Sequence, residues 1–248
     1  MKIYFASNKR LRWTGIVLLV IAIFAACSFL LVNKDSVTSM GEAIYQGNSG
    51  AKSVAITVNV DWGEEFIPVM LKEFKENKAE VTFFVTGKWA EKNAELLKQM
   101  KKEGHSIQNH GFKHVHFNSL STEQTQEQIK QAEAVISRIT GEKSQFFAPP
   151  YGEKNQQLIN AVADMDYQYI MWSIDTIDWQ RPGPQTIVKR VIGKLHNDAI
   201  ILMHPTEPTV KALPDMLKQI KDQGYKMQTI DKIIIDKEAK AKNDVKAN

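Results

Sequence analysis

Cysteine is nearly absent from this chain: Cys27 is the only one in 248 residues. A single thiol excludes an intrachain disulfide and any thiolate zinc cluster, so a metal site here must use histidine and carboxylates. Glycine and proline are sparse, at 13 and 8 residues, which excludes collagenous and low-complexity chains. Hydrophobic residues at 43% and charged residues at 24% instead describe a globular protein with apolar material for a sizeable core. Acidic residues are missing from 1–34, where Lys2, Lys9, Arg10, Arg12 and Lys34 are the only charges. The whole chain has a net charge of +4; subtracting those five from 32 basic residues leaves 27 against 28 acidic ones, a net of −1. The basicity belongs to the leader, and the rest lacks the excess that nucleic-acid binding needs.

Charge is also absent from Trp13 to Val32, WTGIVLLVIAIFAACSFLLV. Twenty residues at 1.5 Å rise match a bilayer core of roughly 30 Å. The basic cluster before this run predicts a cytoplasmic N-terminus and everything after Asn33 outside the cell. Residues 1–33 therefore read as a cytoplasmic stub with one transmembrane helix, a single-pass anchor in the cell membrane. Two alternatives stay open. Cleavage after Ala26 or nearby would give a secreted protein, and FAAC, ending at Cys27, resembles a lipoprotein signal. Residues 34–52 are polar and without period and read as a linker; the domain is expected over 53–235, and 236–248 is a charged tail without an apolar face.

Across 53–235, short β-branched or aromatic runs alternate with longer amphipathic stretches, the pattern of a parallel sheet or barrel. Strands are predicted at SVAITVNV, VTFFVTG, HSIQNHG, QFFAPPYG, YQYIMWSI, DAIILMH and YKMQTID. Helices are predicted over 64–77, 88–104, 121–141, 183–195 and 210–224. Gly104, Gly141 and Gly224 stand where C-caps belong, and Ser121 with Gln124 resembles a capping box. Polar residues gather at the C-terminal strand ends: Asn59, Asp61, His110, His114, Tyr151, Asp175, Asp178 and His204. In parallel α/β barrels that edge carries the active site.

His110 and His114, four apart in NHGFKH, can meet one zinc-sized ion if the backbone turns there, with a carboxylate as third ligand; a capping or surface role fits the pair equally. His116 reads as a bystander. His204 ends an apolar run in ILMHP, where a buried histidine is ordinarily a core residue. Asp175, Asp178 and Trp179 in DTIDW bring it a carboxylate, and such a pair can work as a general acid near neutral pH. Pro149, Pro150 and Gly152 stiffen the turn around Tyr151.

Taken together and in order, these motifs resemble the polysaccharide deacetylases, the NodB-homology domain of carbohydrate esterase family 4, over roughly Ser53 to Ile235. AITVNVDWG is similar to the family's TFDD motif, NHGFKH to its HxxxH box, APPYG to RPPYG, DTIDW to DxxDW and ILMHP to ILLH. The WG pair after the first motif is similar to a sporulation-associated subgroup of Bacillus-type bacteria. The resemblance implies a deformed (β/α)7 barrel and metal-dependent N-deacetylation of an N-acetylated glycan, of which peptidoglycan suits an extracytoplasmic domain. It implies a divalent metal, zinc by ligand type, on His110, His114 and a carboxylate. It implies His204 as acid tuned by Asp178, the Tyr151 backbone N–H facing the oxyanion, and Trp179 and Asp175 lining the groove.

The same resemblance exposes two departures. Where the family has its base and its metal-ligating aspartate, this chain has Asn59 and Val60; an amide accepts no proton near pH 7 and valine has no lone pair. A one-residue bulge would bring Asp61 to the metal, with Glu64 or Glu65 as further ligand or base. The arginine of RPPYG, which pairs with the base in the family, is Ala148 here, so carboxylate and guanidinium are lost together. Two readings follow: a deacetylase with an altered first motif, or an inactive homologue that binds N-acetylated glycan.

Overall fold

The computed structural model describes residues 41–235. The predicted membrane span and the charged tail lie outside them; among the described residues no helix is long and apolar enough to cross a membrane. The architecture is a parallel β-sheet with helices on its outer face. Its strands are β1 (Ala43–Ile44), β2 (Ser53–Val60), β3 (Thr82–Val85), β4 (Ser106–Asn109), β5 (Phe146–Phe147), β6 (Gln168–Ile170), β7 (Ile174–Asp175), β8 (Ala199–Met203) and β9 (Lys226–Met227). The sheet order is β1-β6-β5-β4-β3-β2-β8-β7, with β9 also on β2. Every strand pair is parallel, so all C-terminal ends lie along one edge.

β2 is the central strand and is buried along its whole length, as expected for a strand covered on both faces. Its alternation sorts the side chains. Val54, Ile56, Val58 and Val60 pack with helix residues such as Met70, Phe74 and Leu213 in the larger core. Ala55 belongs to a second cluster with Phe84, Ala148, Ile170 and Ile200, so Thr57 and Asn59, of the same parity, share the inner face. The predicted capping box forms at Ser121 and Gln124, and Gly141 ends that helix at φ 77°.

The stretch 34–52, read as a linker, is part of the fold wherever it is described. β1 pairs with β6 and, two residues on, Gln46 bridges Ala199 on β8. One short segment thus touches both flanks of the sheet, which curls the sheet round on itself. Asp198 accepts from Gly50 N at 2.8 Å and from the Ser49 hydroxyl, and Asn48 donates to Ile235 O at 2.9 Å. The signal was missed because AI is too short to show a period and its partners lie more than a hundred residues away.

Two other elements differ from expectation. The strand predicted from Tyr167 is two: β6 pairs with β5, whereas β7 pairs with β8. The helix predicted over 88–104 breaks at Asn93, whose φ of −121° leaves the helix before Ala94–Lys102 begins.

Candidate active site

Of the polar residues at the C-terminal edge, Asn59, His114, Tyr151, Asp175 and His204 line a cavity of about 480 Å³ together with Trp62 and Trp179, among others, whereas Asp61, His110 and Asp178 do not line it. Each is delivered by a strand end. His110 N donates to Val85 O at 3.1 Å, continuing the ladder past β4. Gly111 then turns the chain at φ 79°, where a Cβ would stand 2.7 Å from the Phe117 ring; the turn inside HGFKH needs glycine. Gly63, at φ 81°, lets the loop after β2 lie against Pro205, whose carbonyl oxygen would be 2.3 Å from a Cβ. That contact joins the first motif to the last.

The Asp178–His204 pair is densely hydrogen-bonded. Asp178 is fully buried, and its Oδ1 lies 2.8 Å from His204 Nδ1. Its Oδ2 accepts from His204 N at 2.7 Å and from Thr209 Oγ1 at 2.6 Å. The carboxylate fixes Nδ1 as the nitrogen that donates, so in the neutral ring the lone pair is on Nε2. Trp62 lies parallel to the His204 ring, centroids 6.3 Å apart at 7°. Trp62 and Trp179 are both exposed large apolar residues at this rim. Sequence reasoning singled out Trp179 but gave Trp62 no role; its signal was a tryptophan in the loop directly after a buried strand.

His110 is buried and its Nδ1 is 2.7 Å from Ala148 O, so Nδ1 donates and Nε2 keeps its lone pair. Burial, with His114 adding, pushes its pKa down to about 3. Burial also lowers His114, against the pull of the Asp61 carboxylate. The rings are 5.6 Å apart, edge to face. Two neutral imidazoles, one oriented by a backbone carbonyl, fit a divalent ion as nitrogen donors. A third donor is not drawn up to them: no three His, Cys, Asp or Glu side chains are grouped to hold an ion among the described residues. Asp61 Oδ1 instead accepts from Thr86 Oγ1 at 2.6 Å.

The altered motif reads clearly. β2 runs without a bulge, Asn59 opposite Phe84 and Val60 opposite Val85, so the anticipated bulge at Asp61 does not form. Val60 points into the helix-side core. Asn59 is 5% exposed, and its buried Oδ1 has no hydrogen-bond partner. Ala148 sits in an apolar cluster with Phe84 and Phe146. Glu64 accepts from Trp89 Nε1 at 3.3 Å, and neither it nor Glu65 lines the cavity.

The remaining expectations fall as follows. Asp175 lines the cavity, but its Oδ1 accepts from Ile177 N at 2.8 Å. The Tyr151 backbone N–H donates to no group among the described residues, as an oxyanion donor must. His116, read as a bystander, stacks on Tyr151 with ring centroids 3.8 Å apart and is 3.0 Å from Glu153 Oε1, while His114 meets Tyr151 edge to face, centroids 4.6 Å apart.

The family model for polysaccharide deacetylase matches residues 46–170. YlxY of Bacillus subtilis is 39% identical over 78% of this chain, which spans 60% of that relative's length. A peptidoglycan-N-acetylglucosamine deacetylase of Bacillus cereus is 30% identical over 78% of this chain and 93% of its own. Among solved structures, a CE4 family pseudoenzyme from Bacillus anthracis superposes with a TM-score of 0.75 at 35% identity, covering 77% of this chain and 68% of that one. A mutant of that pseudoenzyme has restored enzymatic activity; it has the same TM-score at 34% identity, with 77% and 71% coverage.

Proposed function

The chain belongs to the polysaccharide deacetylase family, and from that premise we propose that it removes acetyl groups from an N-acetylated glycan of the cell envelope. The observation that carries the reading is the Asp178–His204 pair, in which a fully buried carboxylate holds a histidine that lines an aromatic-walled cavity. An amine is a poor leaving group and must be protonated as its bond to the acyl carbon breaks. The doubly protonated His204 ring, its Nδ1–H held and its charge stabilised by Asp178, supplies that proton from Nε2 and is left neutral. The Tyr151 N–H serves the oxyanion, Trp62 and Trp179 hold sugar rings by their apolar faces, and Asp175 braces the groove.

His110 and His114 would hold a divalent ion such as zinc, with Asp61, whose charge acts on His114, as the carboxylate donor; such an ion would supply Lewis-acid polarisation of the acetyl carbonyl and a lowered pKa of water. At the base position Asn59 can only donate or accept a hydrogen bond, so hydrolysis by this chain is slow beside that of a carboxylate-bearing relative. A second reading, glycan binding without turnover, is favoured by the orphaned Asn59 Oδ1 and by the apolar packing of Ala148. For location we propose that the 13–32 segment anchors the chain as a single pass with the domain outside the cell, cleavage and secretion being the alternative. The WG pair supports a place among the sporulation-associated deacetylases.

The test is acetate release from N-acetylglucosamine oligomers and peptidoglycan by the zinc- or cobalt-loaded full chain, beside His204→Ala. Release that disappears in the variant supports the first reading. Retained glycan binding with no release establishes the second.

A further inference from the structure

Asp178 reaches His204 from a turn that the backbone itself resists. Ile177 has φ 51° and ψ 37°, and Arg181, on the other side of Asp178–Gln180, has φ 55° and ψ 47°. A β-branched residue in the left-handed region is a genuine outlier, and such strain persists only where the surroundings over-determine it. Three contacts do so. Asp175 Oδ1 accepts from Ile177 N at 2.8 Å. Thr176 Oγ1 donates to Leu202 O at 2.8 Å. Arg190, from the helix Pro184–Ile192, donates from Nη1 to Thr176 O at 2.8 Å and to Ile177 O at 3.3 Å.

Arg190 is half-buried, and its side-chain hydrogen bonds within the described residues go to these two carbonyls. One cationic donor shared by successive carbonyls stabilises the backbone orientation that a left-handed Ile177 creates, because charge-assisted bonds are stronger than neutral ones. The next residue is Asp178, whose two oxygens already serve three donors. We infer that Arg190 is a positioning residue: its guanidinium locks the strained Thr176–Ile177 turn and thereby holds Asp178 against His204. The inference rests on the proposed deacetylase reading only for its consequence in turnover; the geometry stands without it.

The His204 Nδ1–H is the reporter, followed by NMR on the full-length chain labelled with nitrogen-15. Its bond to Asp178 slows exchange with water. Arg190→Met is expected to speed that exchange about tenfold, the scale of a released left-handed turn, whereas Lys189→Met, one residue away and exposed, leaves it unchanged. Adding Ile177→Gly removes the left-handed penalty and is expected to bring exchange back to within about twofold of the parent. Unchanged exchange in Arg190→Met overturns the inference, as does failure of Ile177→Gly to restore it. Should Arg190→Met cost the fold, the double variant decides: a recovered fold with a protected His204 proton supports the inference, and equal unfolding overturns it. In an active chain Arg190→Met also lowers kcat with KM held. A parent chain that releases no acetate refutes the deacetylase reading and leaves the NMR result to be judged on its own.

Discussion

The two halves of the cavity are built to opposite standards. On the β7–β8 side, Asp178 has every lone pair it needs engaged and His204 is held at both Nδ1 and its backbone N–H. On the β2–β5 side, Asn59 has an orphaned oxygen, Val60 has turned into the core, and Ala148 is wrapped by aromatic and aliphatic neighbours. The β7–β8 half is held by a dense set of hydrogen bonds, while the β2–β5 half relies on apolar packing. A buried carboxylate and a buried guanidinium are tolerable only together, so exchanging both for neutral residues leaves a stable wall and little else. In the proposed reaction this neutral wall slows proton abstraction without closing the cavity.

The largest way to break this contrast is Asp178→Ala. It strands the His204 backbone N–H, the His204 Nδ1–H and the Thr209 hydroxyl, and should cost about 4 kcal/mol of unfolding free energy in denaturant titration. Rebuilding the other half should do the reverse. Asn59→Asp with Ala148→Arg is expected to raise acetate release about 100-fold, whereas Ala148→Arg alone buries an unpaired charge and lowers stability. A double variant no faster than the parent would mean that the base position does not limit the rate.

A third prediction sets His110 beside His105, at the opposite end of β4. His105 packs edge-on between Phe74 and Phe83, and its Nδ1 accepts from Val81 N at 3.2 Å. Burial pushes its pKa down to about 4. The folded His105 therefore binds fewer protons than the unfolded one between about pH 4 and the ordinary value of 6.5, and stability falls as pH falls through that window. Acidification from pH 7 to pH 5 should remove about 2 kcal/mol through this residue. His105→Phe should flatten the dependence of the denaturation midpoint. Both histidines are neutral because they are buried, yet only one has another imidazole beside it, so depression alone does not mark a site.

The smallest expected effect is at the rim. Trp179→Ala should weaken binding of an N-acetylglucosamine oligomer by about 1 kcal/mol, roughly fivefold, because an exposed stacking face contributes little more. Calorimetry on the full chain measures it, and no change would place the sugar elsewhere.

Much of this was legible in the chain. β2 was read residue for residue because a buried parallel strand is a continuous apolar run. The Ser121 helix declared both of its ends through its capping box and Gly141. Histidine spacing, DTIDW and ILMHP named His114, Asp175, Trp179 and His204, which line one cavity, and His110 and Asp178, which are buried and do not line it. The 41–50 segment was not legible, since its long-range hydrogen bonds join residues 115 to 187 positions apart. Nor was the division of Tyr167–Asp175 between two places in the sheet, because a contiguous apolar run does not say which neighbours it will pair with.

The sequence by itself determined the inventory: which side chains carry lone pairs, protons and rings, that there is a single thiol, and that positions 59, 60 and 148 carry neutral residues. Tertiary structure decided how that inventory is used. Strand parity sends Asn59 inward and Val60 outward, unbroken pairing with β3 denies Asp61 its bulge, and a helix later in the chain reaches back with Arg190 to a strained turn. Local windows fix residue chemistry and period, whereas the direction of a side chain and the company it keeps follow from pairings made across the whole fold.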